Sequence, residues 1–247
     1  MTTHIPRDLE DKVALVTGAA GDIGRCTVER LQARGCRIVA ADVRPIESLA
    51  QAGRIVCVRG DLRQAETARR SVRTAIDEFG ALDILINNAA RFLQQPTLET
   101  SEAQWDEILD TNARGTFLHC REALKVMAER GSGAIVNVAS ISGVIGLPAQ
   151  AAYSASKGAI VQLTRVLAVE FAARGIRVNA VAPGAVVTGF LEVPDSRQML
   201  ASFGPQHPLG RSAQPAEIAG VIAFLASPQS SFMTGTVVMA DGGFTAA

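Results

Sequence analysis

The sequence has no surplus of charge: over 247 residues, 24 Lys and Arg are matched by 24 Asp and Glu. Without a basic stripe there is no electrostatic footprint for nucleic acid or for an anionic membrane surface. No apolar run approaches the ~18 residues that a membrane-spanning helix needs, so no span is expected. Met1–Lys12 is polar and charged, without the apolar core of a signal peptide. The three histidines, His4, His119 and His207, are too scattered for a metal-ligand spacing, and no metal is expected. The four cysteines, Cys26, Cys36, Cys57 and Cys120, form no CxxC. They fit free thiols in a reducing compartment, which points to the cytoplasm. Aromatics make up only 4% of the chain, with one Trp and a single tyrosine, Tyr153.

What the chain does have is apolar substance, 48% of its residues, enough for a sizeable core in one large domain. Short β-branched runs alternate with longer helical stretches. Strands are expected at Val13–Thr17, Arg37–Ala41, Ile55–Val58, Asp83–Asn87, Ala134–Ala139, Arg177–Val181 and Thr236–Ala240. Helices are expected near Ile23–Arg34, Ala65–Phe79, Glu102–Glu129, Ala151–Ala173 and Pro215–Ala226. Repeated βα alternation requires crossover connections, hence an α/β fold with a parallel sheet and helices on both faces. The strands read as almost continuous apolar runs (VALV, AIVNVA), as strands buried on both faces do. No linker divides residues 1–247. The segment 189–210, with Pro194, Pro205 and Pro208, is too irregular for an expected element. It is either a lid over a substrate or a decorated surface loop.

In such a sheet ligands bind beyond the carboxyl ends of the strands, so the strand ends carry the chemistry. The first strand runs into Thr17-Gly18-Ala19-Ala20-Gly21-Asp22-Ile23-Gly24 and then a helix. Glycines there let the backbone approach a pyrophosphate seated on the positive helix N-terminus. A tight turn without a ligand has the same composition. The second strand ends in Asp42, where a carboxylate can accept both adenosine ribose hydroxyls and repel a 2′-phosphate. That favours NAD over NADP, although Arg44 lies close enough to greet a phosphate, and a capping or solvated Asp reads alike. Asp61-Leu62 and Asn87-Asn88-Ala89-Ala90, after the third and fourth strands, suit the adenine and the central groove, or are turn chemistry.

Tyr153 and Lys157 stand four apart at the start of a helix, hence on one face. A phenol with an ordinary pKa of about 10 is a poor acid–base catalyst at neutral pH. A neighbouring ammonium and a helix N-terminus both favour the phenolate, and the shift needed is large enough that Lys157 is expected to pull Tyr153 down together with a positively charged nicotinamide. Ser140 ends the fifth strand, with Gly143 relieving the turn, and its hydroxyl can hold a carbonyl or carbinol oxygen beside Tyr153. Asn112 sits inside an expected helix, where an amide is a poor former. It either points inward to fix a water or a backbone break, or lies on the surface. Pro183-Gly184 follows the sixth strand, and Thr188 then offers a hydroxyl to a nicotinamide carboxamide.

These residues together resemble the short-chain dehydrogenase/reductase superfamily, in its 3-oxoacyl-carrier-protein reductase-like branch, over nearly the whole chain. The resemblance rests on Thr17–Gly24, Asp42, Asp61, Asn87–Ala89, Asn112, Ser140, Tyr153, Lys157, Pro183-Gly184, Thr188 and Ala240-Asp241-Gly242-Gly243. It implies a single NAD(P)-binding Rossmann domain with a doubly wound, seven-stranded parallel sheet. It implies hydride transfer between NAD(H) and a secondary alcohol or ketone, with no nucleic-acid or membrane partner, and a homotetramer. Tyr153 would be the acid/base, Ser140 would position the substrate oxygen, Lys157 would bind the nicotinamide ribose and tune Tyr153, and Asn112 would support a relay water. Gly18, Gly21, Asp22, Ile23, Gly24, Asp42, Asp61, Leu62, Asn88, Ala89, Pro183, Gly184, Val186 and Thr188 would hold the cofactor with Tyr153 and Lys157.

Three positions depart from the family pattern. Asp22 stands where glycine is usual, so the turn reads T-G-x-x-G-x-x-G, a spacing closer to sugar-nucleotide epimerases. Ala90 replaces a common glycine and Ala139 a frequent serine. An epimerase or dehydratase of nucleotide sugars is therefore one rival reading, although the chain has no room for the extra substrate domain of those relatives. A non-catalytic NAD sensor is the other rival, with no use for a Ser–Tyr–Lys set. Arg91, Phe92, Ile141, Ser142, Gln150, Phe190 and Leu191 are the expected substrate-pocket residues. The helix over Ala151–Ala173 is apolar on more than one face, which calls for a partner subunit.

Overall fold

The computed structural model describes residues 7–191 and 193–246; His4 and the rest of residues 1–6, and Glu192 of the 189–210 segment, lie outside the described residues. The seven expected strands form: β1 (Val13–Thr17), β2 (Arg37–Asp42), β3 (Ile55–Arg59), β4 (Ile84–Asn87), β5 (Gly133–Val138), β6 (Ile176–Pro183) and β7 (Val237–Ala240). They make one sheet in the order β3-β2-β1-β4-β5-β6-β7, parallel throughout. Around it lie α1 (Asp22–Ala33), α2 (Ala65–Phe79), α3 (Glu102–Leu109), α4 (Gly115–Arg130), α5 (Ala151–Phe171), α6 (Ser196–Ser202) and α7 (Pro215–Ala226).

The two-residue period of the strands sorts the core into two layers. Ala14, Val16, Ile38, Ala40 and Ile86 face Val28 and Leu31 of α1 and Ile218 and Ile222 of α7. Val13, Leu15, Val39, Ala41 and Leu85 face Val72 of α2, Leu124 and Met127 of α4 and Leu167 of α5. The sheet is thus buried on both faces, which is why its strands are apolar without alternation. No helix among the described residues is long and apolar enough to cross a membrane.

Two expectations need correction. The helix expected over Glu102–Glu129 is two helices, α3 and α4, joined by a π turn at Asp110–Arg114. The extra residue of that turn turns Asn112 fully inward, where its amide bonds Arg91 and Ser156. The segment 189–210 is not without regular structure, since it holds α6 and a 3₁₀ turn at Gly204–Gln206. Its prolines fall outside α6, and Pro205 sits at the start of the 3₁₀ turn, where its missing N–H costs nothing.

A buried polar ladder ties the sheet to the helix that carries Tyr153. Asn87 of β4 donates to Asn137 of β5 at 2.9 Å, and Asn137 donates to Thr164 of α5 at 2.9 Å. Asn137 and Thr164 are fully buried. Truncating Asn137 removes one buried hydrogen bond from each neighbour, although Asn87 keeps Cys120 Sγ and Thr164 keeps the Ile160 carbonyl, and each lost bond costs about 0.5–1.5 kcal/mol. Asn137→Ala should therefore lower Tm by roughly 3–10 °C in a thermal melt without altering the secondary structure seen by circular dichroism.

Candidate active site

The carboxyl ends of the strands surround one cavity of about 920 Å³. It opens where β1 and β4 are neighbours and the chain winds away on opposite sides, the switch point of a doubly wound sheet. Here β1 and β4 are locked together by side chains. Thr17 Oγ1 accepts from the backbone N–H of Asn88 at 3.1 Å, and the Asn88 amide donates to the carbonyls of Thr17 (3.1 Å) and Gly18 (3.0 Å). The approach is close enough that a Cβ on Gly18, at φ +66°, would lie 2.7 Å from Ala89 Cα. A Cβ on Gly24 would lie 2.1 Å from the Gly18 carbonyl oxygen. Gly24 therefore shapes the turn from behind, and it does not line the cavity.

Beyond the turn, Asp42 is buried at the end of β2. Its carboxylate accepts from the backbone N–H of Ala20 and of Arg44, both at 2.9 Å, and the Arg44 guanidinium folds back on it at 3.3 Å. Asp61 is gripped by Arg63 at 2.7 Å, and that contact holds its carboxyl below the usual carboxylate range. Gly18, Gly21, Asp22, Ile23, Asp42, Asp61, Leu62, Asn88, Ala89, Pro183, Gly184, Val186 and Thr188 all line this cavity.

At its other end the cavity meets α5. The Lys157 ammonium donates to the Val138 carbonyl at 2.8 Å and sits 5.7 Å from the centre of the Tyr153 ring. Ser140 stands close enough to the Tyr153 phenol to favour its ionised form. The turn bearing Ser140 is pressed onto α5, since a Cβ on Gly143 would lie 2.7 Å from the Lys157 carbonyl carbon. Burial pushes the Tyr153 phenol up to about 12, with Ser140 pulling the other way. Burial likewise pushes the Lys157 ammonium down to about 7. In the free chain burial thus pushes the Tyr153 phenol opposite to the pull expected of Lys157 acting with a cationic nicotinamide. The ammonium is spent on Val138 and lies over the ring, and desolvation outweighs it.

Asn112 does not line the cavity. Its Oδ1 accepts from the Arg91 N–H at 2.7 Å, and its Nδ2 donates to the Arg91 carbonyl and to Ser156 Oγ, both at 2.9 Å. Ser156 in turn donates to the Tyr153 carbonyl at 2.7 Å. Asn112 therefore fastens the loop after β4 to the turn of α5 that carries Tyr153.

The substrate side is aromatic. Phe92 packs edge-on to Tyr153 at 4.9 Å, and Phe190 lies 6.4 Å from Tyr153 and 6.0 Å from Phe92. Polar groups run along one wall. Ser140 donates to Ser142 at 3.3 Å, and Ser142 donates to Gln150 Oε1 at 2.8 Å. Ala149, before Gln150, adopts φ +60°, a left-handed conformation that a non-glycine residue takes only under constraint. Arg91 pairs with Glu107 at 2.5 Å across the mouth, and Ile141 and Leu191 complete the wall.

The sequence reading did not foresee two sets of contacts, those of His207 and those of the Asp22 carboxylate. His207 is buried against the cavity; its Nε2 accepts from the Ala185 N–H at 3.3 Å, so Nδ1 donates to the Phe203 carbonyl at 2.9 Å. Gly184 leaves it room, for a Cβ there would lie 2.9 Å from His207 Nε2. Asp22 accepts from the Gly189 N–H at 2.8 Å and pairs with Arg197 at 2.5 Å. Neither carries a local signal, because the partners are distant in sequence.

The chain matches the sequence profile of the family described as enoyl-(acyl carrier protein) reductase over residues 18–245. It is 36% identical to a 3-oxoacyl-[acyl-carrier-protein] reductase of Synechocystis, covering 95% of this chain and 97% of that protein. It is 40% identical to a cis-4-hydroxycyclohexanecarboxylate dehydrogenase of Sinomonas cyclohexanicum, covering 96% and 97%. Its fold superposes on the crystal structure of levodione reductase with a TM-score of 0.90 at 35% identity, covering 96% and 99%. With a Ser–Tyr–Lys set at the end of a seven-stranded Rossmann sheet, the chain belongs to the short-chain dehydrogenase/reductase superfamily, enzymes that act on CH–OH and carbonyl groups.

Proposed function

We propose that the protein interconverts a secondary alcohol and a ketone with NAD(H), using Asn112, Ser140, Tyr153 and Lys157. The observation that carries this reading is the meeting of Ser140, Tyr153 and Lys157 at one end of a cavity whose other end is a glycine-rich turn with no room for a Cβ at Gly18 or Gly24. The turn suits a dinucleotide: Gly18 and Gly24 admit no Cβ, and the first amides of α1 point their dipole at the space a pyrophosphate takes. Asp42 suits the adenosine ribose and opposes a 2′-phosphate, and Arg44 supports this because it is engaged by the carboxylate. Asp61 and Leu62 would flank the adenine; Asn88, Ala89, Pro183, Gly184, Val186 and Thr188 would line the path to the nicotinamide.

When bound, the nicotinamide supplies or accepts the hydride, and the chain handles the proton. Tyr153 Oη donates to the carbonyl oxygen in reduction and receives the hydroxyl proton in oxidation. Ser140 holds that same oxygen. Lys157 stands under the ring as the cation that an emerging phenolate requires. Asn112 keeps α5 in register through Ser156. The aromatic wall of Phe92 and Phe190, with Gln150 as a polar handle, suits a compact ring alcohol, in keeping with the hydroxycyclohexane named for the Sinomonas relative. Segment 189–210, which carries Phe190, would act as the substrate lid.

The assembly would be a homotetramer. Trp105 and Phe117 on the α3–α4 side, Val166 and Val169 on α5, and Phe224 and Phe232 near β7 are exposed apolar groups that a second copy would cover. Free thiols at Cys26, Cys36, Cys57 and Cys120 suit the cytoplasm.

Tyr153→Phe should bind NADH like the wild type in a fluorescence titration while turnover of cyclic secondary alcohols falls by about 10²- to 10⁴-fold. Turnover within tenfold of wild type would remove Tyr153 from the chemistry. Wild-type kcat/KM should favour NAD over NADP, and Asp42→Asn, which removes the charge but keeps an acceptor, should narrow that ratio by about tenfold. A wild type faster with NADPH would overturn the cofactor assignment.

Lys157 also makes a pH prediction for the free protein. It gives up its proton near pH 7 when folded but only near its ordinary value of 10.5 when unfolded. The unfolded chain binds the extra proton between those values, so stability rises with pH through that window. Urea unfolding should show a gain on the order of 1 kcal/mol from pH 7 to about 8.5, and Lys157→Met should flatten it.

A further inference from the structure

The glycine-rich turn carries a carboxylate at its most sensitive point. Asp22 is the first residue of α1, where the helix dipole and unpaired N–H groups favour an anion. A dinucleotide would bring a doubly charged pyrophosphate to the same place. Like charges that share a small, partly desolvated site repel strongly, so Asp22 needs an answer within the structure.

That answer comes from the far end of the chain. One Asp22 oxygen accepts the Gly189 N–H at 2.8 Å and the other takes the Arg197 guanidinium at 2.5 Å. These contacts hold the carboxyl below the usual carboxylate range against the opposing effect of burial, with Arg25 adding to the pull. Asp22 and Arg197 line the cavity together with Gly21, Ile23 and Thr188. The loop between them is fastened internally as well. Ser196 Oγ accepts from the Leu191 N–H at 3.1 Å and donates to the Thr188 carbonyl at 2.8 Å. The stretch bearing Phe190 is thus closed on itself and clasped to α1 by a single carboxylate.

We propose that Asp22 and Arg197 act as one charge-neutral clasp: Arg197 offsets the Asp22 carboxylate beside the cofactor pyrophosphate, and Asp22 holds the Phe190 loop at the cavity mouth. The proposal rests on the dinucleotide reading above. It assigns both residues as positioning residues for cofactor and substrate loop, and it explains how the turn tolerates an acid where its relatives' pattern has glycine. The clasp also makes a specific coupling: removing the arginine alone is worse than removing both charges.

The test needs no turnover. NADH binding is titrated by fluorescence for the wild type, Asp22→Asn, Arg197→Ala and the double variant, and hydrogen exchange of the free proteins is followed over 188–191 and 196–202. Arg197→Ala should weaken NADH binding about tenfold, and adding Asp22→Asn should restore it to within about threefold of wild type. The Arg197→Ala deficit should shrink as salt is raised to about 1 M, because a charge effect is screened and a packing defect is not. Both single variants should speed exchange in the loop of the free protein. A double variant that binds no better than Arg197→Ala, or a deficit indifferent to salt, would overturn the clasp. A wild type that does not bind NADH would instead refute the dinucleotide reading, and the exchange measurement would still decide whether Asp22 holds the loop.

Discussion

The seating of α5 against the end of β5 is the constraint on which the site depends. Gly143 touches the backbone of α5 at Lys157, leaving no space for a side chain, and the Lys157 ammonium is tied to the Val138 carbonyl. The same helix is held lower down by Thr164 on Asn137 and from the side by Ser156 on Asn112. Each of these is a directional bond in a dry environment, where a misfit leaves an unpaired polar group at a cost of about 1–3 kcal/mol. Apolar packing alone would let α5 slide by fractions of an ångström. The polar anchors fix its rotation and register, and with them the placement of Tyr153 beside Ser140.

That seating has an electrostatic consequence. By drawing Tyr153 and Lys157 into the interior, the fold opposes ionisation of both, raising the phenol and lowering the ammonium. A tyrosine in this state holds its proton firmly, which suits the donor role in ketone reduction. The reverse direction asks for a phenolate, and only charge brought close to Tyr153 can make one cheaply. Lys157, 5.7 Å from the ring centre, is placed to respond to such a charge rather than to impose one. The i, i+4 spacing of the two residues predicts their proximity. It carries no information about desolvation, which raises the phenol in the free chain.

The legible parts of the molecule were those encoded by neighbours in sequence. Continuous apolar runs mark the strands, most strongly the central ones that are buried on both faces, whereas the edge strands β3 and β7 are only partly buried, and the glycines between β1 and α1 mark a turn without room for Cβ atoms at Gly18 and Gly24. Tyr153, Lys157 and Ser140 are similarly visible, since helix periodicity and a strand end place them. The π turn at Asp110–Arg114 was not, because apolar periodicity runs through it and its cause is Arg91 and Ser156, distant in sequence. The short helix α6 was hidden among prolines that flank it rather than interrupt it. Asp22 showed as a departure from a pattern, but Gly189 and Arg197, which explain it, lie 167 and 175 residues away.

The two ends of the cavity also differ in what builds them. The nucleotide end is made largely of backbone: glycine positions, helix-end amides and one buried carboxylate, all set by the β1–β4 junction. Such a surface has few chemical options, because backbone amides offer only donors and a helix-end dipole. The substrate end is made of side chains from separate loops: Phe92 after β4, Gln150 before α5, and Phe190 and His207 from the stretch after β6. Loops on a rigid scaffold can change one wall without disturbing the others. The glycine turn is therefore bound to the sheet, whereas the shape of the far wall is set by loops that are anchored separately. The Asp22–Arg197 contact is where those two halves touch, since it joins the first turn of α1 to the loop that carries Phe190.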